Sequence, residues 1–338
     1  MRFPFSLTRS MTGYLLKKRL AGQTKFPLVL MLEPLHACNL TCTGCGRIRE
    51  YADSMRQRLS LDECLASVDE CGAPIVSICG GEPLIYQGIE TLVAETIARR
   101  KHVYLCTNGV NLRKKLAGFQ PTSRLFLNIH LDGMEATHDR AVEREGVFAE
   151  AVEGIKAAKA AGFQVCTNTT VYKETDVHEL AVLFDYLTEL NVDGFMLSPA
   201  YGYEAVQKTN AGADQLFMTR DEIHAKFRLA KQILTGYRLV TSPIYLEFLA
   251  GQRELTCAAW ANPTRNIRGW KGPCYLITDA HYATYRELVE ATDWNQLGPG
   301  NDPRCEHCLV HCGFEPAAVF AANRALRDML RMAIWQMG

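Results

Sequence analysis

Cys38, Cys42 and Cys45 fall on one short segment, HACNLTCTGC, at the spacing C-x3-C-x2-C. Three thiolates on a single loop can hold three corners of a cubane iron–sulfur cluster. Four cysteines are the usual ligand set, so three leave one iron with an open site able to chelate another molecule. Zinc is the competing reading, and it wants a fourth local ligand that His36 could supply. A second set, Cys274, Cys305, Cys308 and Cys312, lies toward the C-terminus, with Cys257 nearby as a spare. Its C-x2-C followed by a cysteine four residues on is a three-point grip that Cys274 could close around a second iron–sulfur cluster. Zinc with His307 or His311, or free thiols, are the alternatives there.

Thirteen cysteines in 338 residues do not read as a disulfide framework. The N-terminus lacks the apolar run and small-residue cleavage site of a secretory signal. The expected location is therefore cytoplasmic, where clustered cysteines point to metal ligation. Cys64, Cys71, Cys79 and Cys166 stand alone and read as small core residues. Acidic and basic residues balance at 37 each, so no global field favours nucleic acid or a polyanionic substrate. The longest apolar run, residues 26–35, contains Glu33 and is too short to span a bilayer.

The elements that must position these groups alternate. Short β-rich apolar runs at 28–34, 74–79, 103–106, 125–131, 163–171 and 194–198 are separated by helical patterns at 61–71, 89–99, 148–161 and 176–190. Such alternation argues for a parallel sheet of βα units. Six units fall short of a closed eight-fold barrel. The expected fold is α/β, a partial (β/α)6 TIM-like barrel with a small Cys-rich C-terminal module. Four segments follow: a basic amphipathic helix at 1–26, the barrel at 27–205, a helical connection at 206–256, and the Cys-rich module with a terminal helix at 257–338. Residues 210–253 read as helical. Residues 257–312 read as loop-rich and ordered by something other than a hydrophobic core. The tail from Pro316 places Val319, Ala322, Leu326, Met329, Leu330 and Ile334 on one helical face.

The cysteine loop directly follows the first strand. Gly80-Gly81-Glu82-Pro83 ends the second, Thr107-Asn108-Gly109 the third, and His130-Leu131-Asp132-Gly133 the fourth. All sit at strand C-termini, where barrel enzymes place catalytic loops. Taken in this order around C-x3-C-x2-C, they are far more specific than a lone Gly-rich turn. The sequence resembles the radical S-adenosylmethionine (SAM) superfamily, whose signature is this cysteine spacing after strand one of a partial barrel. The resemblance implies a [4Fe–4S] cluster on Cys38, Cys42 and Cys45 whose open iron binds the amino and carboxylate groups of SAM. It implies that Gly80, Gly81, Glu82 and Pro83 hold the methionine amino group, with Thr107, Asn108, His130 and Asp132 in the same site. By position, Asn168 and Thr169 on strand five and Ser198 on strand six are candidates for ribose and adenine contacts; ordinary polar strand ends are the alternative. Gly44 departs from the aromatic residue that the superfamily often has before the third cysteine. The second cysteine set is similar to the auxiliary-cluster modules that follow many such barrels.

CNLTCTGCGRIREYAD, ICGGEPLIY, LCTNG, NIHLDG and GWKGPCYL together resemble the adenosylhopane synthases of bacterial hopanoid biosynthesis, over most of the chain. That resemblance implies addition of the 5′-deoxyadenosyl radical to the alkene of diploptene, with an electron donor such as flavodoxin or ferredoxin. A closed-shell product then needs one hydrogen atom, and Cys106, just before Thr107, is the candidate catalytic donor; a buried strand cysteine is the alternative. Parity groups Cys106 with Asn108 without saying which face lines the barrel. Near the N-terminus, Leu7, Met11, Tyr14 and Leu15 at helical spacing, with Arg9, Lys17, Lys18 and Arg19, suit either peripheral contact with the inner membrane or packing on the barrel. The runner-up function is a peptide-modifying radical SAM maturase, for which no leader-binding segment is visible before Phe26. A third reading is a non-catalytic zinc protein on a barrel scaffold. No cobalamin-binding domain is visible ahead of the barrel.

Overall fold

The computed structural model describes residues 3–209, 213–322 and 325–337. Six parallel strands, β1 (Val29–Leu32), β2 (Ile75–Ile78), β3 (His102–Thr107), β4 (Leu125–His130), β5 (Gln164–Val171) and β6 (Gly194–Pro199), pair in chain order. Their apolar residues are buried on both faces, as strands covered by crossover helices require. Helices Leu61–Cys71, Ile89–Ala98, Val147–Ala160 and Val177–Glu189 make the crossovers. The first has clear ends: Ser60 and Glu63 form a capping box, and Gly72 closes it at φ 68°. The chain is thus an α/β partial barrel. Among the described residues no helix is long and apolar enough to cross a membrane.

The sheet continues past β1, where the sequence shows no strand. β7 (Thr264–Asn266) pairs parallel to β1, and β8 (Gly269–Pro273) and β9 (Thr278–Tyr282) follow antiparallel. Residues 257–312 are therefore not ordered by their cysteines alone. Trp270 on β8 is fully buried in the main core, its indole N–H donating to Glu70 at 3.0 Å. Strands of three to five residues broken by Gly269 and Pro273 carry too little alternation to be read. Helices Ala213–Leu216, Arg220–Ile233 and Pro243–Leu249 occupy the stretch expected to be helical; Asn210, at its start, lies outside the described residues.

The barrel interior is layered. Tyr104, Phe126, Cys166 and Met196 lie two residues below Cys106, Asn128, Asn168 and Ser198, on the same strand faces. The lower four cluster with Phe3, Leu7 and Met11, so helix Phe5–Leu20 closes the floor. Tyr14 and Leu15 pack with Phe26 and Leu28. The helix face that suited a membrane is thus the face the barrel covers, because it shields the aromatic rings of Tyr104 and Phe126 from water. The tail also differs from expectation. It forms two helices, His311–Ala322 and Leu326–Met337; Ala322 is buried, but Leu326, Met329, Leu330 and Ile334 are exposed.

Arg47 locks the upper end. It begins the short helix Arg47–Glu50, is 4 % exposed, and places its Nε 3.0 Å from Glu33 at the end of β1 and its Nη1 3.1 Å from Glu50. Its guanidinium lies 4.2 Å over the Tyr275 ring and donates to the Tyr275 carbonyl. Lys271 on β8, also buried, approaches Glu50 at 3.4 Å. Burial alone would weaken the Arg47 charge; Glu33, ahead of the other partners, more than restores it. Arg47→Met leaves Glu33 buried without its nearest cation and should cost about 3–5 kcal/mol. Anaerobic thermal melting should show a large drop in Tm, partly recovered in Arg47→Met/Glu33→Gln; an unchanged Tm in the single variant would remove Arg47 from this role.

Candidate active site

The cysteine loop is shaped by its neighbours. Arg49 donates to the carbonyls of Cys42 at 3.0 Å and Cys45 at 2.7 Å, closing the loop on itself. The turn Gly80–Gly81 runs against it as a continuation of the β1–β2 ladder: Gly81 N–H donates to Leu35 O and Glu82 N–H to Ala37 O. A Cβ at Gly81 would lie 1.8 Å from the Ala37 carbonyl oxygen, so only glycine permits this approach. Gly44 and Gly46 answer to the other wall. A Cβ on Gly44 would meet the Tyr172 hydroxyl at 2.4 Å, and one on Gly46 the Tyr203 ring at 2.2 Å. The aromatic missing before Cys45 is thus supplied by Tyr172, at the end of β5. Neither tyrosine was visible as a site residue; the small G-C-G around Cys45 is the trace that their packing leaves in the sequence.

Cys38, Cys42 and Cys45 line one cavity of about 300 Å3 together with Gly80, Gly81, Glu82, Cys106, Thr107, Asn108, His130, Asn168 and Ser198. That volume is at the lower end for a small-molecule site. Pro83, Asp132 and Thr169 do not reach it. Pro83 starts a buried turn, and Thr169, one residue out of phase with Asn168, donates to the Leu131 carbonyl. Asp132 acts through His130, whose Nε2 it holds at 2.8 Å while accepting from Thr170 N–H. Burial would lower the pKa of His130, and Asp132 raises it above the ordinary value instead. Glu82 is 1 % exposed and accepts from Leu84 N–H, Thr107 Oγ1 and Asn108 N–H at 2.7 to 2.9 Å. It ties the β2 and β3 ends together, leaving about one lone-pair direction for a ligand. Asn108 crosses to Asn39 at 2.8 Å, beside Cys38.

Parity resolves in favour of the interior: Tyr104, Cys106 and Asn108 face the barrel. Cys106 Sγ lies 3.3 Å from Ser77 Oγ and accepts from Asn128 Nδ2 at 3.5 Å. Burial pushes its thiol pKa up, so it stays an S–H. Asn128, not singled out in the sequence, lines the cavity with Oδ1 buried and unpartnered, as does Asn168. Unmet acceptors at a cavity wall call for donors on a ligand.

Cys257, Cys274, Cys305, Cys308 and Cys312 line a second, smaller cavity that shares Tyr201, Tyr275 and Leu276 with the first. Cys257 is therefore one of the set. Its Sγ would lie 2.5 Å from any Cβ on Gly313. The two histidines face elsewhere: His311 bonds Ser198 at 3.0 Å in the main cavity, and His307 is exposed. The zinc grips that used them lose their nitrogen ligands, because one turn of helix separates His311 from the cavity that Cys312 enters. His36, the fourth ligand of the other zinc reading, is instead buried against Ser54 and Tyr51. Among the described residues no three His, Cys, Asp or Glu side chains converge to hold a single ion.

The family pattern of the radical SAM superfamily matches residues 32–213, more than half of the chain. The chain belongs to the radical SAM superfamily. Its members use a [4Fe–4S] cluster and SAM, and three thiols on a glycine-lined loop beside unmet amide acceptors fit that pair. A domain of unknown function (DUF3463) matches residues 195–332. Among curated relatives, the GTP 3′,8-cyclase of Campylobacter fetus is 30 % identical over 166 residues, 47 % of this chain and 52 % of that one. That of Thermodesulfovibrio yellowstonii is 29 % identical over 205 residues, 57 % and 61 %. The chain spans about half the length of the curated relatives it matches. Among solved structures, Streptococcus suis SuiB bound to precursor peptide SuiA has a TM-score of 0.61 at 13 % identity, covering 94 % of this chain and 77 % of that one. The enzyme anSMEcpe with bound AdoMet has a TM-score of 0.56 at 15 % identity, covering 91 % and 96 %. These two likenesses concern the fold.

Replacing any one of Cys38, Cys42 or Cys45 by Ala should abolish reductive SAM cleavage, measured as 5′-deoxyadenosine; wild-type-like yield in all three variants would refute the assignment. For the second set, the quadruple variant at Cys274, Cys305, Cys308 and Cys312 should fall from about eight to about four iron atoms per chain after anaerobic reconstitution. Unchanged iron would mean that these thiols hold none.

Proposed function

We propose that this radical SAM enzyme adds the 5′-deoxyadenosyl group to the terminal alkene of a triterpene, diploptene, forming adenosylhopane. The observation that carries the reading is the Cys106 thiol, kept protonated and facing the cavity of the cysteine loop. When bound, the reduced cluster and SAM supply the 5′-deoxyadenosyl radical. Cys38, Cys42 and Cys45 would hold the cluster, and the ends of β2 to β6 would hold SAM. Such a radical abstracts hydrogen from most C–H bonds, so the alkene must be held close and water kept out. Tyr172, Tyr201, Tyr203, Tyr275, Leu276 and Val310 supply that apolar wall.

Addition to the CH2 carbon forms a C–C bond and leaves a tertiary carbon radical. Cys106 gives it a hydrogen atom, since an S–H bond is weaker than the C–H bond formed. The resulting thiyl needs one electron and one proton to return to thiol, from a donor of the flavodoxin or ferredoxin class. Five cysteines around the second cavity support an auxiliary iron–sulfur cluster there.

The relatives' name points to GTP as a second substrate reading. A triphosphate carries several negative charges, yet among the described residues the only Lys or Arg lining the cavity is Arg47, already paired with Glu33 and Glu50. That lining favours an uncharged substrate. The reduced enzyme with SAM and diploptene should yield an adduct by mass analysis, and none with GTP; a GTP product without a lipid adduct would overturn the proposal. Cys106→Ala should still cleave SAM and still form the C–C bond, but divert at least about tenfold of the product to oxidised or alkene forms. Saturated adduct at the wild-type rate would place the hydrogen donor elsewhere.

A further inference from the structure

Helix Leu326–Met337 is amphipathic with its apolar side turned outward. Leu326, Met329, Leu330, Ala333, Ile334 and Met337 follow the stripe that a core-facing helix shows, and all are exposed, Leu326 and Ile334 to 70 % and 66 %. The polar side meets the protein instead. Asp328 is buried at 2.7 Å from Arg253 Nη1, and Arg331 Nη2 is 2.6 Å from Glu247. These charge-assisted bonds fix the helix in this orientation, so the stripe is held on display.

Trp335 links the stripe to a second surface. Its indole N–H donates to the Leu239 carbonyl, and its ring meets Phe3 edge-on at 5.2 Å. Phe3 leads into helix Phe5–Leu20, whose outward face exposes Phe5, Leu16 and Leu20 among the exposed cations Arg9, Lys17 and Arg19. Residues 1–26 contain six Lys and Arg and no Asp or Glu, in a chain that is otherwise balanced.

We propose that this paired surface docks on a bilayer bearing anionic headgroups. The apolar side chains would sit at the headgroup boundary and the cations against lipid phosphates. Charge decides against a second copy of the chain as the occupant: a two-fold contact would bring two acid-free segments toward each other, whereas an anionic bilayer complements them. The surface lies at the barrel floor, because Phe3 and Leu7 pack there and Leu239 pairs with Phe195 near the start of β6. The cavity opens at the other strand ends, so docking anchors the enzyme without covering its site.

Flotation of the purified full chain with phosphatidylglycerol–phosphatidylcholine vesicles, compared with phosphatidylcholine alone, tests this without SAM or alkene. The wild type should bind the anionic vesicles and release as salt rises. Leu330→Glu/Ile334→Glu should bind at least about tenfold more weakly, with an unchanged melting curve and unchanged SAM cleavage. Arg9→Glu/Lys17→Glu should also weaken the anionic binding. Equal flotation of the wild type and the stripe variant, or none by the wild type, overturns the proposal. So does a wild-type dimer that the stripe variant makes monomeric while neither floats. Because no substrate is present, failure here leaves the adduct assay to decide the reaction by itself.

Discussion

Arg47 carries a full positive charge into a place that almost no water reaches, two residues beyond the last cysteine of the loop. A buried charge persists only if its partners are in place and well oriented. Here they come from distant parts of the chain: Glu33 from the end of β1, Glu50 from the next turn of helix, the Tyr275 carbonyl and ring from the segment after β8. Lys271 then balances the second carboxylate. Two acids and two bases close the set, so the cysteine loop cannot shift without opening an unpaired charge. The C-terminal strands are fastened to the barrel by the same contacts.

Close backbone approach adds the second constraint. Gly81 lets the turn after β2 lie on the cysteine loop, and Gly44 and Gly46 let Tyr172 and Tyr203 lie on its other side. The loop is held between a backbone ladder and two aromatic rings, which excludes water from the thiols and raises the pKa of Cys38 to about 11. Cluster assembly must displace those protons. Below, the barrel changes from polar to apolar within one layer: Cys106, Asn128, Asn168 and Ser198 face the cavity, while Tyr104, Phe126, Cys166 and Met196 rest on the N-terminal helix. The reactive end is therefore open only at the top.

The six barrel strands, their crossover helices and the order of motifs at the strand ends were legible in the sequence, because each depends on local periodicity and on turn residues a few positions apart. The cysteine spacing alone determined that three thiols share a loop. Which strand face lines the barrel could not be read, since parity relates Cys106 to Asn108 but does not orient either. The roles of Tyr172 and Asn128, the place of Cys257 among the second cysteines and the turning away of His307 and His311 all needed the chain to be closed in three dimensions. Only tertiary structure could decide, too, that the apolar face of the N-terminal helix is spent on the barrel floor while that of the C-terminal helix is left outside: periodicity marks an apolar face, but the charges of Arg253 and Glu247, from another helix and its flank, choose where that face points.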